Sequence, residues 1–196
     1  MRIVGGQFRG KTLVAPEGKE TRPTSDRSRE SLFNVLTHRF QGHSLQGQDG
    51  FSLTGAVVVD AFAGSGALGL EALSRGAASA TFLETTAPAL TALRANLAAC
   101  RVQDRCRVVR ADATAPGKPP AGIQPATLVL LDPPYGQGLA PRCLESLAER
   151  GWLSPGALVC VETEAKAPPI DWPKGFWEED QRSHGKARLT ILQWNP

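Results

Sequence analysis

Two segments of the sequence place an acidic residue and a constrained turn directly after an apolar run. In the first, three valines at 57–59 lead into Asp60 and a turn of small residues. In the second, the apolar run 128–131 leads into Asp132, two prolines and Tyr135. Bare glycine backbone lets a ligand approach closely, and carboxylates accept hydrogen bonds from amines. The first segment therefore suits ligand binding, and the second suits holding a flat ring that carries an amine.

The glycine turn fits two classes of nucleotide-binding protein, and Asp60 distinguishes between them. Residues 64–69 match the dinucleotide pattern G-x-G-x-x-G, which by itself is a weak signal. In that fingerprint the helix start receives a pyrophosphate, which an acid at position 60 would repel. A strand followed by D-x-x-x-G-x-G is instead typical of methyltransferases that use S-adenosylmethionine (AdoMet), whose ammonium group Asp60 could hold. The alternative is that Asp60 caps the turn and the glycines serve the turn alone.

In the second segment, two prolines restrict the backbone that carries the acid and the aromatic ring. Pro133 and Pro134 end the strand and restrict φ, so Asp132, the carbonyl groups and the Tyr135 ring have little freedom. Asp132 and the Pro133 carbonyl can accept hydrogen bonds from an exocyclic amine, and Tyr135 offers a face on which a flipped base stacks. The alternative is a proline-rich turn with a packed tyrosine. The apolar run before it and the glycine turn upstream favour the catalytic interpretation.

The order of apolar runs and helical patterns predicts an α/β fold that would position these groups. Strand and helix patterns alternate and end in a hairpin, which indicates a Rossmann-like, mostly parallel seven-stranded sheet with helices on both faces and an antiparallel C-terminal hairpin. We expect strands over residues 57–60, 79–84, 105–110, 128–131, 157–163, 176–182 and 187–193. We expect helices from Ala67 onward and over residues 87–100 and 139–150.

Two further acids follow strands of this predicted sheet. Glu84 ends the second strand, a position from which a parallel α/β unit reaches the ribose hydroxyls of an adenosine. Asp112 follows the third strand, where it would either accept a hydrogen bond from an adenine amine or cap a turn. Both interpretations of Asp112 stay open.

The N-terminal fifth of the chain holds all of the excess positive charge. Residues 1–40 contain eight basic and four acidic residues, whereas the remainder contains 14 basic and 15 acidic residues. This distribution suggests that an acidic partner is met there. The alternative is an ordinary basic surface in contact with water.

The same segment predicts a hairpin followed by a helix. Glycines between short segments predict a small β-hairpin over residues 1–22, outside the main sheet. A helix capped by Thr24 or Ser25 is expected to run to about residue 40. Arg27 and Arg29 are expected in its first turn, opposite the apolar positions.

Composition limits the class of protein further. The 196 residues are the length of one domain. No apolar run approaches the roughly 18 to 20 residues that span a bilayer, and the first residues lack the apolar core of a signal peptide. Four cysteines form no C-x-x-C pair and no Cys/His cluster, which indicates buried, reduced thiols rather than metal or disulfide ligands. We therefore expect a cytoplasmic protein without a metal site.

Beyond these motifs, the sequence resembles the RsmD family of bacterial methyltransferases, which modify a guanine of small-subunit ribosomal RNA at N2. The resemblance is carried by R-I-V-G-G at 2–6, R-P-T-S-D-R at 22–27 with E-S-L-F-N at 30–34, the glycine turn and helix at 60–76, the D-P-P-Y segment at 131–138, and W-L-S-P-G at 152–156. Many amine-methylating enzymes share the glycine turn and D-P-P-Y, whereas the R-P-T-x-D-R block and its hairpin narrow the resemblance to this family. One departure is Thr85-Thr86, where the family usually has an acid or a basic-acid pair.

The resemblance implies a division of the chain and a set of site residues. The implied division is an N-terminal hairpin extension over residues 1–22 that contacts RNA, and a methyltransferase domain over residues 23–196. The expected catalytic residues are Asp132, Pro133, Pro134 and Tyr135. The residues expected to bind AdoMet are Asp60, Phe62, Ala63, Gly64, Ser65, Gly66, Glu84, Asp112, Ala113 and Thr24.

The reaction implied by the resemblance is methyl transfer from AdoMet to the N2 amine of a guanine in 16S rRNA. Because the sulfonium is a good leaving group, the main requirement is to hold nitrogen, methyl and sulfur in line. The expected partner is 16S rRNA or the small ribosomal subunit, bound by a monomer without a membrane or metal partner. Alternatives are methylation of adenine N6 in DNA or RNA and a ribosome-assembly factor that binds AdoMet without catalysis, with nicotinamide-dependent oxidoreduction last. The chain lacks the separate target-recognition domain that the first alternative would require. The intact D-P-P-Y segment argues against the second.

Overall fold

The computed structural model describes residues 1–17, 26–42 and 50–196. Within these ranges the strands are β1 Val57–Ala61, β2 Ser79–Glu84, β3 Cys106–Arg110, β4 Ala126–Leu131, β5 Leu153–Glu164, β6 Phe176–His184 and β7 Ala187–Trp194. The α-helices are α1 Asp26–Val35, α2 Ala67–Ser74, α3 Ala87–Cys100 and α4 Leu139–Glu149. A π-helical turn, Leu36–Phe40, continues α1. The expected caps Thr24 and Ser25 lie outside the described residues.

The strands form one twisted sheet in the order β3-β2-β1-β4-β5-β7-β6. Neighbouring strands from β3 to β5 are parallel, whereas β7 runs antiparallel to both β5 and β6. This confirms the predicted mostly parallel seven-stranded sheet with its C-terminal hairpin. The strand order reverses between β1 and β4, and in open α/β sheets the ligand crevice lies at that point, outside the carboxyl ends of the strands.

Helices cover both faces of the sheet, as predicted. One core packs α1, α2 and α3 against the sheet and includes the fully buried Phe33, Leu70 and Phe82. The other core packs α4 against the opposite face and includes Leu144 and Trp152. Central parallel strands that are buried on both faces have continuous apolar sequences, which is why β1 and β4 are recognisable from sequence.

The start of β5 differs from the prediction. The sequence pattern places Ser154-Pro155-Gly156 before the strand, but β5 already begins at Leu153. Its pairing with β4 steps from Ala126↔Leu153 to Leu128↔Leu158, so an irregularity in the ladder takes up the extra residues. A bulge of this kind lets proline and glycine sit inside a strand that a regular ladder would not permit.

The four cysteines are free and buried, which confirms that part of the prediction. Burial raises the pKa of each thiol, to about 12 for Cys106. Thiols of this kind are weak nucleophiles at neutral pH. None of the helices in the described ranges has the length and apolar character required to cross a bilayer.

Residues 1–17 form a compact hairpin beside the main sheet. Arg2 and Thr12 form an antiparallel bridge, and the Ile3 N–H donates to the Lys11 carbonyl at 3.0 Å. Ile3 and Leu13 are 1% and 3% exposed and belong to the core on the α2 side. The hairpin is therefore packed into the molecule, while its division from the rest of the chain as an RNA-contacting extension stays a prediction.

Arg29 lies in a different environment from the one predicted. The side chain is fully buried, and its guanidinium donates to Asp26 Oδ1 at 2.7 Å and to the Arg2 carbonyl at 2.5 Å. Partial burial by itself would raise the pKa of the Asp26 carboxyl, but hydrogen bonds from Arg29 and the Arg2 N–H outweigh it and hold that pKa below its usual value. Arg29 therefore ties α1 to the hairpin, whereas Arg27 is exposed as expected.

Candidate active site

The glycine turn between β1 and α2 leaves an open surface of bare backbone. Gly64 and Gly66 have φ of +53° and +78°, a region that favours glycine. A Cβ on Gly66 would lie 2.4 Å from Leu93 Cδ1, whereas a Cβ on Gly64 would meet nothing within 4 Å. Phe62 also has a positive φ of +62°, which is uncommon for a residue with a side chain and marks a turn constrained by its surroundings. The turn combines tight packing underneath with free space above Gly64.

Asp60 lies beneath this turn. Asp60 is only 1% exposed. Its Oδ2 accepts a hydrogen bond at 2.8 Å from the Gly69 N–H in the first turn of α2. Burial raises the pKa of this carboxyl well above its usual value, and the charges of Asp132 and Glu84 add to that effect while the Gly69 hydrogen bond opposes it. The contact with a cofactor ammonium group stays a prediction.

Glu84 connects the loop that follows β2 to the glycine turn that follows β1. Oε2 accepts from the Gly64 N–H at 2.9 Å, and Oε1 accepts from the Thr85 and Thr86 N–H groups at 2.7 and 2.8 Å. The carboxylate at the end of β2 is thereby fixed against the glycine turn at the end of β1. The two threonines that depart from the family pattern are the residues that orient it.

Asp112 forms a local turn. It is exposed, and Oδ1 accepts both the N–H and the hydroxyl of Thr114 at 2.8 Å. This is an Asx turn, the capping role that the sequence left open beside contact with an adenine amine. Ala113 is buried next to it. The contact of Asp112 with a cofactor stays a prediction, and the expected cofactor residue Thr24 lies outside the described residues.

The D-P-P-Y segment leaves the end of β4 as an irregular turn. Asp132 and Tyr135 are half-buried, Pro133 is buried and Pro134 is exposed. The Tyr135 hydroxyl donates to Glu162 Oε1 at 3.0 Å, which links the turn to β5. The structure thus brings Asp132 and Tyr135 to the same edge of the sheet as Asp60 and Glu84.

Sequence reasoning did not identify Glu162. The signal was nonetheless present, because Glu162 follows the apolar run 157–161 in the same way that Asp60 and Asp132 follow theirs. An acid directly after a buried apolar run is the shared feature of all three.

The N-terminal residues also reach the glycine turn. The Ser65 hydroxyl lies 3.7 Å from Met1 Sδ, and the Ser65 carbonyl accepts from Asn96 Nδ2 at 2.9 Å. Asn96, on α3, also bonds the Val14 backbone on both its N–H and its carbonyl. Asn96 therefore fixes the end of the hairpin and the glycine turn with a single side chain.

A second buried residue, Glu71 on α2, holds the tip of the hairpin. Its Oε2 accepts from the Val4 N–H at 2.9 Å and its Oε1 from the Gly5 N–H at 2.8 Å. One turn further along α2, the Ser74 hydroxyl accepts from the Phe8 N–H at 2.9 Å. These anchors connect the basic hairpin to the helix that begins at the glycine turn.

Strand order and site together define a class of protein. The order 3-2-1-4-5-7-6 with an antiparallel seventh strand, a glycine turn after β1, and acids at the ends of β1, β2 and β4 make this a class I methyltransferase fold. Across residues 1–17, 26–42 and 50–196, no three His, Cys, Asp or Glu side chains are grouped so as to hold a metal ion.

Comparison with known proteins places the chain in a family. The model of the family described as Conserved hypothetical protein 95 matches residues 1–193, and the chain belongs to this family. Ribosomal RNA small subunit methyltransferase D of Escherichia coli (strain K12) is 39% identical over 176 residues, which cover 88% of this chain and 81% of that protein. The protein of the same name from Haemophilus influenzae is 35% identical over 195 residues, covering 98% and 93%. The resemblance to the RsmD family is confirmed.

A solved structure agrees with the sequence comparison. The structure of the Escherichia coli protein yhhF matches with a TM-score of 0.80 and 34% identity, over 100% of this chain and 98% of that one. The likeness therefore extends over the N-terminal hairpin as well as over the sheet.

Proposed function

We propose that this chain transfers a methyl group from AdoMet to the N2 amine of a guanine in small-subunit ribosomal RNA. The observation that carries the proposal is the D-P-P-Y turn at the end of β4, directly beside β1 and its open glycine turn. The relatives named Ribosomal RNA small subunit methyltransferase D support ribosomal RNA as the substrate. Such a substrate would place the enzyme in the cytoplasm.

The residues around the glycine turn fit AdoMet on electrostatic grounds. Burial raises the pKa of Asp60, and the charges of Asp132 and Glu84 raise it further, so three carboxyl groups lie near one another here. A ligand with an ammonium and a sulfonium group relieves this repulsion, whereas the pyrophosphate of a dinucleotide would increase it. The open space above Gly64 leaves room for a ligand against the backbone. When bound, AdoMet supplies a methyl group on a sulfonium sulfur, which is a good leaving group.

The protein groups have separate tasks in this proposal. Glu84 accepts hydrogen bonds from the ribose hydroxyls, and Asp112 accepts one from the adenine amine. Asp132 and the Pro133 carbonyl accept hydrogen bonds from the guanine amine, which favours the pyramidal nitrogen whose lone pair attacks. Tyr135 provides the stacking face that holds the base. The transfer leaves an extra proton on the nitrogen, and Asp132 is the carboxylate placed to accept it. Catalysis of this kind rests mainly on positioning.

A labelling experiment tests the proposal directly. The protein is incubated with AdoMet carrying a labelled methyl group, together with either small ribosomal subunits or naked 16S rRNA, and the label is mapped. We expect label on the N2 of a guanine. Label on adenine, transfer to DNA alone, or binding of a nicotinamide cofactor without binding of AdoMet would each contradict the proposal.

Glu84 should be required for AdoMet affinity. We expect Glu84→Ala to weaken AdoMet binding by roughly 10- to 100-fold, because hydrogen bonds to a charged group are worth about 1.5–3 kcal/mol. Isothermal titration calorimetry measures this, with a thermal melt to confirm that the variant is folded. Glu145→Ala is the matched control, since Glu145 is an exposed acid on α4 that has no part in the proposed cofactor site. Wild-type affinity in Glu84→Ala would remove Glu84 from the cofactor site.

The basic hairpin should contribute to RNA binding. Arg2, Arg9 and Lys11 are exposed, and the ion pair of Arg2 with Asp26 at 3.4 Å is a surface pair of little energetic value. We expect replacement of all three by alanine to preserve folding and AdoMet affinity. RNA binding should weaken, and its salt dependence should flatten by roughly one unit of slope for each phosphate that the variant no longer neutralises.

The control for the hairpin variant removes the same charge elsewhere. Lys118, Lys166 and Lys174 are exposed lysines outside the N-terminal segment, and their replacement by alanine lowers the net charge equally. Binding of 16S rRNA is measured for both variants across a salt series. Equal losses of affinity in the two variants, or no loss in either, would assign the hairpin a structural role only.

A further inference from the structure

We infer that Glu162 is a positioning residue for the methyl-transfer reaction, which acts by fixing the Tyr135 ring through its hydroxyl. The inference rests on the proposed function, since it assumes that Tyr135 stacks on the target base. Its geometric basis is the hydrogen bond from the Tyr135 hydroxyl to Glu162 Oε1 at 3.0 Å.

The two partners lie on different kinds of backbone, an irregular turn and a paired strand. Tyr135 lies in the irregular turn between β4 and α4, followed by Gly136 and Gly138, both with positive φ. Two prolines precede it, and they have no N–H to donate to a neighbouring strand. The Tyr135 hydroxyl is the group of this turn that β5 holds through Glu162.

Glu162 lies on a strand that is held on both sides. β5 pairs with β4 on one side and with β7 on the other, and Glu162 itself pairs with Leu189. The pairing of β4 with β5 ends at Leu131↔Val161, and the proposed amine acceptor Asp132 and Glu162 are the residues that directly follow this pair in their segments. A half-buried carboxylate at this point can hold the phenol at a constant distance from Asp132.

The chemistry of the pair favours a fixed orientation of the ring. A phenol that donates to a carboxylate makes a charge-assisted hydrogen bond, which is stronger and more directional than a neutral one. Base stacking tolerates any orientation in the plane, but in-line methyl transfer does not. Anchoring the hydroxyl converts a general stacking face into one that holds the base at a single angle.

A double-mutant cycle tests the inference. We measure single-turnover methyl transfer to saturating small ribosomal subunits for the wild type, Tyr135→Phe, Glu162→Leu and the double variant. Each single change should lower the rate roughly 10-fold, and the double variant should be no slower than either single variant. Affinity for AdoMet should be unchanged throughout. Glu162→Gln, which keeps an acceptor oxygen, should retain most of the activity.

A spectroscopic readout separates this role from a merely structural one. Tyr135 is the one tyrosine of the sequence, so its ionisation can be followed without interference from another phenol. A carboxylate that accepts from the hydroxyl favours the protonated phenol. In Glu162→Leu the absorbance change to tyrosinate should therefore occur at a pH lower by about one unit than in the wild type.

Two further variants guard the interpretation. If Glu162→Leu melts below the assay temperature, Glu162→Asp replaces it, because the shorter side chain keeps the charge but withdraws the acceptor from Tyr135. Glu164→Asp is the matched control, since Glu164 ends the same strand and is exposed. It should behave as the wild type.

The outcomes are distinguishable. A wild-type protein that methylates no ribosomal RNA overturns the proposed function and this inference with it. An active wild type in which the effects of Tyr135→Phe and Glu162→Leu on the rate multiply, or in which tyrosinate forms at the same pH in both proteins, overturns the role of Glu162 alone.

Discussion

Replacing Asp132 by alanine should lower the rate of methyl transfer by at least about 100-fold while AdoMet affinity stays within a few-fold of the wild type. The expected reduction is that of removing a hydrogen-bond partner whose interaction strengthens in the transition state. Asp132 is half-buried at the end of β4, whereas the carboxylate bonded to the glycine turn is that of Glu84. The proposed partner of Asp132 is therefore the target amine and not the cofactor.

The charge of Asp132 also allows a check on AdoMet binding. Burial is the main reason that the pKa of Asp60 is raised, and the Asp132 charge adds to it. Removing that charge should lower the pKa of Asp60 only in part, because burial, its main cause, remains in the variant. Calorimetry with AdoMet, run beside a single-turnover assay, separates the two effects.

Asp132→Asn is the matched variant for this experiment. The amide keeps one acceptor oxygen at nearly the same place but cannot take up the proton. We expect it to lose less activity than Asp132→Ala. Full turnover by Asp132→Ala would reduce the D-P-P-Y segment to a structural turn, and a parallel loss of AdoMet affinity would move Asp132 to the cofactor side of the site.

The fold could be predicted because its central strands are buried on both faces. Apolar runs ended by an acid located the carboxyl ends of β1, β2 and β4 to within one residue. The predicted start of β5 is four residues too late, since Pro155 and Gly156 are usually signs of a turn. Their place inside the strand depends on an irregular pairing with β4, which a single-strand pattern cannot show.

The acids of the site were predictable, but most of their hydrogen-bond partners were not. Asp60 bonds an N–H nine residues away, Glu84 one that is 20 residues away, and Tyr135 donates to a residue 27 positions distant. Which acid meets which donor depends on the packing of α2 on the sheet and on the register of neighbouring strands. Asp112 is the exception, because its bond to Thr114 is local and the turn cap was an open alternative.

The role of the hairpin was the least visible part from sequence. Its glycines and basic residues indicated an appendage, whereas Ile3 and Leu13 are buried in the core. The residue that holds its tip, Glu71, was not singled out from the sequence, although it is the one acid in the helical segment Ala67–Ser74. A lone charge in an apolar helix is a signal for a buried anchor, because a charge is buried only when it is paired.

Replacing Glu71 by alanine should lower the free energy of unfolding by about 3–5 kcal/mol, the range for breaking a buried ion pair from one side. Glu71 is fully buried and accepts from the Val4 and Gly5 N–H groups and from Arg75 Nε at 2.8 Å. Glu71→Ala removes the acceptor of the Val4 and Gly5 N–H groups and of the mostly buried Arg75 guanidinium. Urea unfolding gives the energy, and hydrogen exchange should show faster exchange at Val4 and Gly5.

Two comparisons decide whether this destabilisation comes from the anchor. Glu145→Ala removes an exposed acid from α4 and should change stability by no more than about 0.5 kcal/mol. Glu71→Gln keeps the shape and one acceptor oxygen and should lie between the wild type and Glu71→Ala. Because the hairpin carries Arg2, Arg9 and Lys11, loosening its tip should also weaken RNA binding at temperatures where the domain is still folded. If Glu71→Ala is destabilised by less than about 1 kcal/mol and the Val4 and Gly5 amides stay protected, burial of Ile3 and Leu13 is sufficient to hold the hairpin.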